Sequence, residues 1–320
     1  MRARLIFNPV ATMTNAGVRD ALVALLGAEV ELTVVGTRAR LHAADLAREA
    51  VADGLDAVFV LGGDGTANEV LQGLAGTDVP LGLLPGGGAN VLARAIGLPR
   101  DASEAATVQL ERLHAGHDAR LSLGRANGRL FGFQAGMGLD AGIVRRVEAH
   151  PGMKRWLRQL SFILLGLREW ATSEDRRAPA CRATDLPGID ATPRMLVSVA
   201  NLDPYTYLGP RPFHLLPAAS AQTALDVLTA ETMSTPAVLR GIVRAFIDGS
   251  HVDDPRFTMA HDIDAVTITA DRPTPLMVDG DLMDHVRTAT FRHVPNALRV
   301  LADLEETGAE EPLADDGRAA

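Results

Sequence analysis

The sequence predicts an α/β N-terminal domain, a mostly parallel sheet with helices on both faces, followed by a C-terminal β-rich, sandwich-like domain. Three observations predict it. Up to residue 117, short apolar runs alternate with stretches of helical spacing, the pattern of strands buried on both faces. Beyond Gly116, short alternating runs separated by turn residues take over. The length, 320 residues, suits two domains of roughly 150 residues each. The expected domains are 1–117, completed by about 290–303, then 118–289, with 304–320 a disordered acidic tail.

In the first domain Arg4–Asn8 reads as a strand, Val18–Leu26 as a helix, Glu29–Val35 as a strand and Leu41–Ala52 as a helix. Asp56–Leu61 (DAVFVL) is a buried strand, Gly62-Gly63-Asp64-Gly65 a turn, and Thr66 opens a helix to Leu74. Val79–Leu84 is a further strand ending in Pro85-Gly86-Gly87-Gly88, and helices follow at Asn90–Ile96 and Ala102–Leu113. In the second domain strand-like runs fall at 119–125, 130–135, 194–200, 224–230, 256–260, 265–270 and 275–278, with helices at 141–149, 154–169 and 235–248. Phe291 to Leu301 reads as a strand returning to the first domain.

Composition removes several classes. Hydrophobic residues at 47% and charged residues at 22% exclude wholesale disorder. The single cysteine, Cys181, excludes an internal disulfide and favours a reducing compartment. The net charge is −9, of which the segment from Asp303 onward carries −6, so a dedicated nucleic-acid binder is not expected. His114 and His117 form the only close histidine pair and lack a third ligand nearby, so no zinc-type centre is expected. No apolar run is long enough for a leader or a span, and the reading is a cytoplasmic protein with at most transient, peripheral membrane contact. Lys154, Arg155, Trp156, Arg158, Arg168 and Trp170 flank an apolar stretch, a pattern shared by interfacial helices and by core-facing amphipathic ones. Tyr205 and Tyr207 stand in a Pro/Gly loop, either as pocket lining or as loop packing.

Two glycine-rich turns carry the chemistry. In Gly62-Gly63-Asp64-Gly65-Thr66, three glycines let backbone N–H groups point at one place, and the helix that follows adds its positive end. This is a phosphate cradle at the carboxyl end of a strand, where open α/β sheets bind ligands. Asp64 makes sense there if magnesium accompanies the phosphate, held through water. Leu84-Pro85-Gly86-Gly87-Gly88-Ala89-Asn90 repeats the arrangement after the next strand, so the two turns form two walls of one cleft. A Walker A ending and a GxGxxG fingerprint are both missing.

At these residues the sequence resembles the diacylglycerol kinase catalytic-domain family of lipid kinases, which includes bacterial diacylglycerol kinases and sphingosine kinases. Asn8-Pro9 and Thr37 resemble its nucleotide-contacting turns, and Gly62–Glu69 (GGDGTANE) its signature. Leu84–Asn90 with Leu92-Ala93-Arg94, Gly136-Met137-Gly138-Leu139-Asp140-Ala141, Leu225-Asp226-Val227 and Val278-Asp279-Gly280-Asp281 resemble later blocks. The resemblance implies ATP and Mg2+ in an interdomain cleft and phosphoryl transfer to a lipid hydroxyl. It implies nucleotide contacts from Asn8, Pro9, Thr37, Gly62, Gly63, Asp64, Gly65, Thr66, Asn68, Glu69, Gly87, Gly88 and Asn90, with Asp64 also serving the metal. The family's base carries over to Asp281, with Asp279 beside it. A lipid substrate is implied, and homodimerisation stays open.

Three positions depart from the family. Gly88 stands where a threonine is usual, Asp281 replaces a glutamate, and Ala221-Gln222-Thr223 occupies the place of an acidic pair that holds a structural magnesium in some members. The alternatives are an NAD kinase, which shares GGDGT, and a non-catalytic nucleotide- or lipid-binding member.

Overall fold

The computed structural model describes residues 1–148, 160–173, 177–186, 192–231 and 234–304. Its architecture is the expected one: an α/β lobe joined to a β-rich lobe. In the first lobe β1 (Arg2–Phe7), β2 (Glu31–Gly36), β3 (Ala57–Gly62) and β4 (Leu81–Pro85) pair in parallel in the order β4-β3-β1-β2. α1 (Ala16–Glu29) and α5 (Ala102–Ala115) share a core with one face of this sheet through Leu22, Leu26, Phe59 and Leu110. α2 (His42–Ala52), α3 (Asp64–Leu74) and α4 (Val91–Ala95) cover the other through Leu46, Val60, Val70 and Leu92. Every residue of β3 and β4 is buried, which is why both read as unbroken apolar runs.

The second lobe is built from β5 (Ala119–Ala126), β6 (Arg129–Phe131), β7 (Gln134–Gly138), β8 (Cys181–Thr184), β9 (Leu196–Ala200), β12 (Leu225–Ala230), β13 (Phe257–Ile263), β14 (Ala265–Val278) and β15 (Asp281–Val300). They enclose a core of Phe131, Met137, Val197, Val227, Ile268, Val278 and Phe291. A separate hairpin, β10 (Thr206–Leu208) and β11 (Arg211–Phe213), reaches back to the first lobe, where the Arg94 guanidinium lies 3.3 Å from the Tyr207 ring centroid and donates to the Gly209 and Pro210 carbonyls. α6 (Leu139–Glu148), α7 (Leu160–Thr172) and α8 (Thr235–Ile247) complete the lobe.

β15 joins the lobes. It leaves the turn after β14, pairs with β14 and β5, and ends beside β4, with Val300 opposite Leu81. Leu298, Val300 and Ala302 lie in the first lobe's core. Asp303 pairs with Arg112, and the Leu304 carbonyl accepts from the Gln222 amide, where the family's acidic pair would stand. The tail from residue 305, like Lys154, Arg155, Trp156 and Arg158, lies outside the described residues. The two runs expected at 265–270 and 275–278 are one strand, β14, whose register shifts between Thr269 and Thr274. Trp170, at the end of the helix considered interfacial, is buried against Leu139, Met195 and Ala230; this end of the helix faces the core.

Candidate active site

The carboxyl ends of β1 to β4 bring the sequence-identified residues to one edge of the sheet. Asn8, just past β1, takes the Leu61 carbonyl with its backbone N–H. Its side-chain amide donates to Thr66 Oγ1 at 3.1 Å, and its Oδ1 accepts from the Val10 N–H. Pro9 is exposed at the rim beside it. Thr37, just past β2, is held by a bond from its N–H to the Phe7 carbonyl. The two glycine turns lie backbone to backbone: Gly86 N–H donates to the Gly62 carbonyl at 2.8 Å. A Cβ at Gly87 would stand 2.5 Å from the Gly63 Cα, so glycine at 87 is a packing requirement. A Cβ at Gly88 would meet nothing. Asn90 closes the second turn from the left-handed region (φ 50°), accepting from Gly87 N–H and donating to the Gly87 carbonyl.

Helix α3 begins at Asp64, two residues earlier than the sequence suggests, with Gly63 as its N-cap. Gly63, Gly65 and the first turn of α3 therefore present backbone toward the cleft. The Asp64 carboxylate turns inward, where its Oδ1 accepts from the Leu92 N–H at 3.2 Å at the start of α4. Loss of water pushes its pKa up to about 6, and the nearby Asp279 charge pushes the same way.

Two residues of the signature turn away from the cleft. Asn68 is buried; its amide donates to Asp279 Oδ2 at 2.8 Å and to the Leu130 carbonyl at 3.0 Å, and its Oδ1 accepts from Arg129 and Gln72. It is a latch between the lobes. Glu69 points to α2, where Oε2 accepts from the Ala43 N–H at 3.2 Å near that helix's start. Both corrections follow from helix geometry: Asn68 lies one turn beyond Asp64, against the second lobe, and Glu69 lies 100° further round.

The expectation that Asp279 shares the catalytic role also needs correction. Its Oδ2 accepts from Gly132 N–H (2.7 Å) and Asn68, and its Oδ1 from Phe133 N–H (3.1 Å) and Gln134 N–H (3.0 Å). Burial raises its pKa against these four donors. With every acceptor direction engaged, Asp279 is a bracket that fixes the β14–β15 turn. That turn is tight, with φ 46° at Asp279 and 79° at Gly280, and it delivers Asp281 to the opposite side. The Asp281 carboxylate is partly exposed and faces Gly65 in the first turn of α3, whose built Cβ would lie 3.6 Å from Oδ1.

Arg40 is the residue that motif reading missed. Its exposed guanidinium stands 3.8 Å from Asp281 Oδ2. The signal was present in Arg38-Ala39-Arg40 directly after Thr37, a basic run at the carboxyl end of a strand. Tyr205 and Tyr207 are both packed: Tyr207 under Arg94, and Tyr205 with its hydroxyl donating to Asp140 Oδ1 at 2.7 Å. Asp140, buried with Ser198 and Gln134, has its pKa raised to about 6 by desolvation.

Comparison with known proteins agrees with the two-lobe fold. Residues 2–125 match the diacylglycerol kinase catalytic domain, and residues 134–302 match the YegS C-terminal NAD kinase beta sandwich-like domain. An uncharacterised Synechocystis protein is 23% identical over 322 residues, covering 95% of this chain and 70% of the relative. A diacylglycerol kinase of Mycobacterium tuberculosis is 44% identical over 98 residues, 29% of this chain and 30% of that protein. A diacylglycerol kinase of Staphylococcus aureus is 34% identical over 136 residues, 41% of each. The matched part thus spans less than half of these two kinases. Two Bacillus anthracis crystal structures share the fold. One, of a diacylglycerol kinase, has a TM-score of 0.68 at 19% identity, covering 94% of this chain and 97% of that one; the other has 0.76 at 22%, covering 94% and 95%.

Proposed function

The chain belongs to the YegS-like lipid kinase family, and from that premise we propose that it transfers the γ-phosphoryl group of ATP to the hydroxyl of a diacylglycerol-like or sphingoid-like lipid. The observation that carries the reading is the placement of Asp281. A carboxylate from the second lobe stands over Gly65, in the first turn of the helix that ends a phosphate cradle.

In this reading the triphosphate lies along the N-terminal turn of α3 and the two glycine turns, with Asn8, Pro9 and Thr37 at the rim. Gly88 offers backbone only. Asp64 is a desolvated carboxylate that forms no ion pair among the described residues, and Asp279 adds negative charge nearby. No cluster of three metal-ligating side chains exists among those residues. This donor set suits magnesium, which keeps most of its ligands as water and phosphate oxygens. When bound, the ion supplies charge neutralisation on the phosphates.

The lipid hydroxyl gives its proton to Asp281 as its oxygen attacks the γ-phosphorus and the bond to the β–γ bridging oxygen breaks. The products are a phosphorylated lipid and ADP. Proton acceptance by a placed carboxylate is worth ~10²–10⁴-fold. Asp281 is one methylene shorter than the family's glutamate, so the hydroxyl must come close to α3. Arg40, beside Asp281, is placed to meet charge developing on the transferred group.

The test is incubation with radiolabelled ATP and magnesium against diacylglycerol, sphingosine, phosphatidylglycerol, a polyprenol and NAD. Label on a lipid and none on NAD supports the reading. Label on NAD alone, or ATP binding with transfer to none of the lipids, overturns it.

A further inference from the structure

We propose that α8 docks the protein on an anionic lipid bilayer, with Leu239, Val243 and Ile247 entering the headgroup layer. The purpose of this docking rests on the lipid-kinase reading; the surface itself rests on α8. One face of the helix is committed to the fold: Ala237 and Ala245 are buried, and Ala237 and Val238 pack with Leu139, Trp170 and Met195. The opposite face is apolar and open. Leu239 is 45% exposed, Val243 54% and Ile247 72%, spaced four residues apart so that they form one stripe.

The stripe has a basic edge. Arg240 and Arg244 are exposed, and neither forms an ion pair among the described residues. Asp248 feels the Arg244 charge and Asp254 the Arg240 charge, but their hydrogen bonds go elsewhere: Asp248 accepts from the Ser250 N–H, and both oxygens of Asp254 bond Arg256. An apolar stripe edged by guanidinium groups at phosphate depth is the pattern of a helix lying in a membrane interface. A second copy of the chain fits less well, since three side chains fall far short of the ~800 Å² per partner of a stable interface.

The position of α8 suits a lipid substrate. Phe246, on the same helix, has its ring centroid 4.7 Å from that of Phe213, which lies 6.0 Å from Tyr205. Tyr205 packs against a cluster of Ala141, Val144 and Met277, and Met277 stands two residues before Asp279. The docking helix is thus linked through three side-chain contacts to the strand that carries the Asp281 turn.

The test compares wild type with Leu239→Glu/Val243→Glu in co-sedimentation with vesicles of phosphatidylcholine, with and without phosphatidylglycerol. Melting temperature, and transfer to a short-chain, water-soluble diacylglycerol, are measured alongside. Wild type is expected to sediment with the anionic vesicles and the variant at least tenfold less, with melting temperature and soluble-substrate turnover unchanged. Arg240→Gln/Arg244→Gln should remove the preference for anionic vesicles. Equal sedimentation of variant and wild type overturns the proposal. So does a wild type that ignores both vesicle types, or one that forms a dimer which the α8 variant abolishes. If neither protein phosphorylates the soluble lipid while vesicle binding still follows α8, the docking surface stands and the kinase reading falls.

Discussion

Replacing Asp279 with asparagine separates a bracket from a reacting group. The carboxylate receives four buried hydrogen bonds, two on each oxygen. Asparagine has the same shape and tolerates the positive φ of 46° at this position. It can accept only two of the four bonds, and its NH2 group faces the other two donors. Leaving a buried donor unmade costs ~1–3 kcal/mol, so two cost ~2–6 kcal/mol. Removing a desolvated charge whose pKa is already raised offsets part of this. The net expectation is a loss of about 2–4 kcal/mol, seen as a melting temperature lower by roughly 3–6 °C. Differential scanning calorimetry of Asp279→Asn beside Asp281→Asn reads it directly, since Asp281 makes no bond of this kind and its variant should melt like wild type. A variant Asp279→Asn with wild-type melting but no phosphoryl transfer would refute the bracket and return Asp279 to the reaction.

Asp281→Asn should lower kcat by about 10²-fold or more while ATP affinity, measured calorimetrically, is unchanged. Asp140, whose pKa is raised to about 6 from 3.8, favours folding when protonated. Its contribution is present below pH 4 and lost as pH rises through 6, so Asp140→Asn should gain about 2–3 kcal/mol over wild type between pH 4 and pH 7.5 in urea unfolding. Gly87→Ala forces a methyl against the Gly63 backbone and should cost ~1–3 kcal/mol and most of the activity. Gly88→Thr enters open space and should melt within about 0.5 kcal/mol of wild type in the same calorimeter; if the two glycine variants behave alike, the backbone-to-backbone packing of the turns is wrong.

The sequence made the first lobe legible because β3 and β4 are buried on both faces and end in glycine turns that have few other uses. It did not reveal where side chains point. Asp279 and Asp281 are two residues apart, and only the left-handed turn at Asp279-Gly280 buries one and presents the other to the cleft. Asn68 and Glu69 sit in the signature itself, yet helix periodicity sends one to the second lobe and the other to α2. The first half of β15 was missed because Asp284, His285 and Arg287 put polar groups on a partly exposed strand. Tryptophan at the end of an apolar helix fits core and interface equally, and only packing placed Trp170 in the core.

The path of β15 has a consequence for how the protein is made. The free edge of β4 is covered in two steps: the Gln109 amide of α5 bonds the Leu83 N–H and carbonyl, while Leu81 and part of the first lobe's core wait for Leu298, Val300 and Leu301 at the end of β15. On a ribosome adding 5–20 residues per second, the about 180 residues between α5 and Val300 take on the order of 10–40 s. Throughout that interval the Leu81 end of β4, an apolar strand, lacks its partner while the glycine turns at the other end already exist. An uncovered edge of this kind templates pairing with other chains. The glycine turns and this gap therefore emerge together, and the strand that brings Asp281 to the cleft is also the one that completes the β4 edge.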